Sequence, residues 1–237
     1  MIPYKRHTLS NGLTVAVNRD RQSKLAAVNI LYKVGARNED PARTGFAHLF
    51  EHLMFRGTRD VPDFDLPVQM ACGDNNAFTN NDYTDFYITL PKDNIETALW
   101  LEADRMTGLD ISPEALETEK RVVIEEYKQR YLNQPYGDQG MLLRSLAYTL
   151  HPYRWATIGL TPDHVTIDEV RTFYRRWYHP SNAILSVSAD IDEERVFELA
   201  ERYFAPIADT PSAAGPLPAE PEQTAERRLE VERDVPA

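Results

Sequence analysis

An α+β fold, with helices covering one face of a sheet, is what this sequence predicts, and three observations predict it. Strand-like and helical stretches alternate irregularly, not as repeated strand–helix units. The two opening β-prone runs are joined by Ser10-Asn11-Gly12, which calls for an antiparallel hairpin. With 237 residues and 42% hydrophobic content, the chain can bury one large core or two small ones.

Taken in order, Tyr4 to Leu9 and Leu13 to Val17 are the hairpin strands, and Asn11 and Gly12 both tolerate the positive φ of a type I′ turn. Leu25 to Val34 reads as a third strand whose continuous apolar centre suggests burial on both faces. Thr44 can cap the helix carrying His48-Leu49-Phe50-Glu51-His52, and Gly57 lies just beyond its end. Asp63 to Ala71 reads as a short helix stopped by Gly73, with Pro67 disturbing its first turn. Asn75 to Asp82 and Tyr83 to Leu90 read as strand, turn, strand. Asp93 caps a helix through Met106, with Glu96 completing a capping box. Ser112, Pro113 and Glu114 open a helix that runs to about Asn133. Gly137 to Leu150 is another helix, and Thr166 with Glu169 forms a capping box for one through Trp177. Asn182 to Ala189 is a buried strand, and Asp192 to Tyr203 the last clear helix. Five of the sixteen prolines fall between Pro206 and Pro221, the composition of a linker, and Arg227 to Val235 shows weak strand character beyond it.

Composition narrows the function. The single cysteine, Cys72, excludes an internal disulfide and a cysteine-based zinc cluster, so a metal would be held by His and carboxylates. A formal net charge of −11 argues against a nucleic-acid surface and favours basic or neutral peptides, or simply solubility. There is no apolar run of about eighteen residues to span a membrane. The start, from Met1 to His7, runs directly into strand-like sequence, so the cytoplasm is expected; a chain whose leader had been removed would read the same. No internal repeat, heptad array, phosphate-binding glycine loop or Ser-His-Asp order is present.

The chemistry concentrates at His48, Glu51 and His52. Residues three and four apart share a helix face, so these three project together while Leu49 and Phe50 turn to the core. Two neutral imidazoles so spaced can both reach Zn2+ at about 2.0–2.1 Å, and the carboxylate beside them can act as general base on the metal's water. The order H-x-x-E-H inverts the commoner H-E-x-x-H with much the same local geometry. A catalytic zinc usually takes three protein ligands. Glu119 and Glu126, seven residues apart, lie on one partly apolar helix face with Val122 and Val123 between them, and an inward carboxylate needs a cation or donor. Either could be the third ligand; alternatively Glu119 pairs with Lys120 or Arg121 on a solvated face. His151, beside Pro152, reads as a loop residue more readily than as a ligand.

Gly35-Ala36-Arg37-Asn38-Glu39 followed by Gly45-Phe46-Ala47-His48-Leu49-Phe50-Glu51-His52-Leu53-Met54-Phe55-Arg56-Gly57-Thr58 resembles the signature of the pitrilysin/insulinase family of zinc peptidases, in its processing-peptidase type. Further matches are Gly73 with Asn76-Ala77-Phe78-Thr79 and Asp82-Tyr83-Thr84, Glu119 to Glu126, His151-Pro152-Tyr153 with Ile158-Gly159, and Tyr178 to Ala183, spanning residues 1 to about 205. The resemblance implies a mixed, largely antiparallel sheet. It implies that His48, His52 and Glu126 bind one zinc, that Glu51 is the general base, and that Glu119 is a carboxylate behind the ligands. It makes Asn76, Ala77, Phe78 and Thr79 an edge strand to which an extended peptide substrate adds, with Asn76 and Ala77 meeting its backbone. It also implies a second homologous domain or subunit that closes a chamber and supplies a transition-state Arg and Tyr; the parent could act as a monomer or a dimer. On this reading residues 1–210 are the catalytic domain, and 211–237 the linker and start of the second one. A non-catalytic partner subunit is the alternative, but such subunits typically lose metal ligands that are all present here.

Overall fold

The computed structural model describes residues 2–159, 165–210 and 215–234. Six strands form one sheet: β1 (Lys5–Thr8), β2 (Thr14–Arg19), β3 (Leu25–Tyr32), β4 (Asp74–Thr79), β5 (Thr84–Pro91) and β6 (Ala183–Ala189). Their order is β1-β2-β6-β3-β5-β4, and only the β2–β6 pairing is parallel. Seven α-helices accompany them among the described residues: α1 (Phe46–Leu53), α2 (Asp65–Met70), α3 (Ile95–Gly108), α4 (Pro113–Tyr127), α5 (Gln139–Ala147), α6 (Ile167–Trp177) and α7 (Glu193–Phe204). The architecture is the expected α+β one, with a mixed, largely antiparallel sheet. No described helix is long and apolar enough to cross a membrane.

Alternation along the strands decides which face carries the core. Val15 and Val17, Ala26, Val28, Ile30 and Tyr32, Phe86, Ile88 and Leu90, and Leu185 and Val187 are all buried, packed with Leu49 and Phe50 of α1, Leu99 of α3 and Leu199 of α7. Between them, Ala16, Ala27, Asn29, Ser186 and Ser188 turn to the open face, where small and polar side chains leave little apolar area to hide. The apolar centre of β3 therefore does not mean burial on both faces: its pattern alternates and Leu25 is exposed.

Local chemistry departs from expectation at several ends. The opening hairpin is a three-residue loop in which Gly12 (φ 90°), but not Asn11, takes the left-handed conformation, so it is not type I′. The Asn11 side chain instead donates to the carbonyls of Phe204 and Ile207. Cys72 (φ 56°) turns the chain after α2, not Gly73. Asn94 precedes α3 without a side-chain cap, and Glu96 is engaged by Arg195 and Tyr203, so the Asp93 box does not form. Ser112 caps α4, and the Thr166–Glu169 box caps α6, as expected.

The Pro-rich stretch begins inside the packed body: Ile207 is buried, and Asp209 accepts from the Ser181 N–H at 3.0 Å. Residues 211–214, within the expected linker, and Val235 lie outside the described residues. From 215 to 234 there is no strand. The segment runs along α5, with Glu220 accepting the N–H groups of Thr149, Leu150 and His151 and Arg227 donating to the carbonyls of Leu146 and Ala147.

Candidate metal centre

Everything at the centre depends on how α1 is set. Phe46, Ala47, Leu49, Phe50 and Leu53 are buried and leave Glu51 and His52 on the half-exposed flank. The helix starts at Gly45, not at Thr44, with φ 99°, where an added Cβ would press within 2.8 Å of the Gly159 backbone. Its free N–H groups are taken by Glu39, whose two carboxylate oxygens accept from Gly45 and Ala47 at 2.7 and 2.8 Å. Burial pushes the Glu39 carboxyl up to about 8 against those two bonds.

One turn apart on α1, the rings of His48 and His52 meet edge to face, 4.8 Å between centroids. Across from them α4 presents Glu126, whose Oε2 lies 3.4 Å from His48 Nε2 and 3.3 Å from His52 Nε2. Among the described residues this is the one group of three such donors within 4.8 Å of one another. Glu119, one face-repeat earlier on α4, points elsewhere: its Oε2 is 3.3 Å from the other nitrogen of His52, Nδ1, and its Oε1 is gripped by Arg56. The neighbouring Lys120 pairs with Glu117, so Glu119 does not belong to a solvated Lys–Arg cluster. His151 is outside the group, its Nδ1 accepting the N–H of Tyr153.

Burial and charge divide the two imidazoles. Desolvation, with the nearby His52, pushes His48 down to about 4 despite Glu126. Desolvation also opposes the charge on His52, but the bonds and charges of Glu119 and Glu126 push it up to about 9. Glu119 stays below the usual carboxylate range although burial opposes this, because His52 and Arg56 donate to it; Glu126 is held low first by His52. Two imidazole nitrogens and a carboxylate oxygen converging on one point, with an acidic partner behind one ring, suit a divalent zinc-like cation.

Glu51 faces the same space from α1, and burial raises its carboxyl above the ordinary value. Thr79, at the end of β4, donates its hydroxyl to Glu51 Oε2 at 2.6 Å. β4 is an edge of the sheet, its Asn76 and Phe78 are exposed, and the Asn76 side chain accepts the Ala77 N–H at 2.8 Å. Glu39, Arg56 and the Thr79–Glu51 bond had no role in the sequence reading. All three sit inside stretches that carried the resemblance, and that was their only signal.

A family model described as insulinase (peptidase family M16) matches residues 14–153, and one described as the peptidase M16 inactive domain matches residues 164–236. The chain is 35% identical over 234 residues to the zinc protease PqqE of Helicobacter pylori, covering 96% of this chain and 53% of that protein. It is 29% identical over 203 residues to a probable mitochondrial-processing peptidase subunit beta of Schizosaccharomyces pombe, covering 83% of this chain and 44% of that one. The crystal structure of a protease from Helicobacter pylori superposes with a TM-score of 0.89 at 33% identity, over 94% of this chain and 55% of the other. The chain thus spans about half the length of the curated relatives it matches.

Proposed function

This chain belongs to the insulinase family of peptidases, family M16, and from that premise we propose that it is the zinc-holding half of an endopeptidase that cuts extended or unfolded peptides. The observation that carries the reading is the meeting of Glu51 with both the His48–His52–Glu126 group and the free edge of β4. His48 Nε2, His52 Nε2 and Glu126 Oε2 would hold the zinc. When bound there, zinc supplies a Lewis acid for a peptide carbonyl and makes a water acidic enough to ionise near neutral pH.

The remaining steps belong to the chain's own residues. The Thr79 hydroxyl fixes one oxygen of Glu51 and leaves the other to take the proton of the attacking water. Burial raises the basicity of that carboxylate, as a base working near neutral pH requires. The same group can then hand the proton to the leaving amine. Along β4, Asn76, Ala77 and Phe78 would pair with the substrate backbone as an added strand, which grips an extended chain with little regard to its sequence. A second homologous domain or subunit would close the site and add the stabilising Arg and Tyr, so the 237-residue chain would bind zinc and hydrolyse poorly alone. We assign residues 1–210 to the catalytic domain and 211–237 to the connection toward that second part.

The test compares the wild type with Glu51→Gln on an unfolded fluorogenic peptide, with zinc content measured on both. About one zinc in each and a loss of about 10²–10⁴-fold in kcat for the variant is the expected result. A variant that keeps most of its activity sinks the assignment.

A further inference from the structure

We propose that Arg56 is a positioning residue for the centre, acting on His52 through Glu119; the inference rests on the zinc reading above. Arg56 lies just past the end of α1, in a turn closed by its N–H to the Leu53 carbonyl at 3.0 Å. Its Nε donates to Glu119 Oε1, and its Nη2 completes the ion pair with the same oxygen. A surface ion pair of this kind is ordinarily worth little. Here the acceptor is different, because Glu119 is only 4% exposed and has no bulk water to orient it. The guanidinium anchors Oε1 on one side of the carboxylate, and the other oxygen, Oε2, stands toward His52 Nδ1, 3.3 Å away.

An acceptor fixed at Nδ1 selects the imidazole tautomer that carries its hydrogen there. The lone pair of Nε2 is then directed to the side where Glu126 Oε2 stands. His48 lacks this support: its Nδ1 is buried, with no hydrogen-bond partner among the described residues. Of the two rings, His52 is therefore the one whose orientation is built in, and the chain Arg56–Glu119–His52 builds it.

The experiment is zinc affinity of the metal-free protein by competition with a chromophoric chelator, for wild type, Arg56→Ala and Arg56→Lys. Arg56→Ala is expected to weaken zinc binding about 10- to 100-fold, the usual cost of losing an orienting partner behind a ligand. Arg56→Lys keeps a cationic donor within reach of Glu119 and recovers most of the loss, while the melting temperature of the metal-free protein is the same in all three. Nitrogen NMR of the zinc-loaded wild type shows a single His52 signal protonated at Nδ1, which broadens in Arg56→Ala. Equal zinc affinity in wild type and Arg56→Ala overturns the inference and leaves the peptidase reading standing. Equal loss in both variants with a lowered melting temperature makes Arg56 a structural contact and also overturns it. A wild type that takes up no zinc brings down the functional reading itself.

Discussion

β1 and β4 close the two ends of the same sheet, yet they are dressed for opposite purposes. β1 carries Lys5, Arg6 and His7 on a strand exposed along all four residues, with Lys5 and His7 paired to Glu194 and Glu201 of α7. After Asp74, β4 carries Asn75, Asn76, Ala77, Phe78 and Thr79, without a charge. Charged side chains on an edge discourage another strand from pairing there; an uncharged edge invites it. Only the inviting edge is wired to the candidate base, through Thr79 and Glu51. The difference teaches that two exposed edges are not equivalent: composition discourages pairing at one, and the other is joined to the candidate base, which is why the proposed substrate strand is put there.

The contrast is broken most directly by Ala77→Pro. Once the peptide adds and displaces the Asn76 side chain from the Ala77 N–H, removing that N–H leaves an acceptor on the peptide unpaired, a loss of about 1–3 kcal/mol or roughly 5- to 150-fold in kcat/KM, mostly through KM. Unchanged steady-state constants on an unfolded peptide would mean that substrate does not add at β4. Thr79→Val is expected to act on the other parameter. Losing the hydroxyl that holds Glu51 lowers kcat by about tenfold, about 1.4 kcal/mol, with KM little changed. A change confined to KM would return Thr79 to a substrate contact alone. The smallest effect on catalysis belongs to β1: the triple change of Lys5, Arg6 and His7 to Thr leaves kcat/KM as it was. In sedimentation it makes the protein associate as concentration rises. A triple variant that stays monomeric would show that α7, not edge charge, is what protects that side.

Much of this was legible in the chain because its signals are local. The Ser112 cap, the Thr166–Glu169 box and the i, i+3, i+4 face of α1 are each set by a few neighbouring residues, and each is where the pattern puts it. What local rules missed was decided across distance. Thr44 is the nearest residue with a capping side chain, but Glu39 reaches the start of α1 from a loop, and no short-range motif encodes that. The spacing of Glu119 and Glu126 found a shared face but could not choose between them. The packing of α4 against α1 separates them, giving one to both Nε2 atoms and the other to Nδ1. In β3, an apolar run hid an alternation, because Leu25, Ala27 and Leu31 fall on the open face, where apolar residues are tolerated in small numbers.

The strand order carries one more consequence, for how such a chain comes to be folded. Among the described residues β6 is the last strand in sequence, and it lies between β2 and β3. Until it arrives, the early hairpin and the β3-β5-β4 group are two fragments with no shared ladder, each with apolar residues bared along the gap. During synthesis the nascent chain must carry α1, with its paired histidines, through that interval before the seam can be closed. Long-range pairing of this kind folds slowly and leaves edges open to misassociation while it waits. β6 is thus the seam that makes the sheet behind the centre continuous, and a rearrangement that separates it from β2 and β3 would split the sheet in two, leaving α1 on the piece that carries β4 and β5.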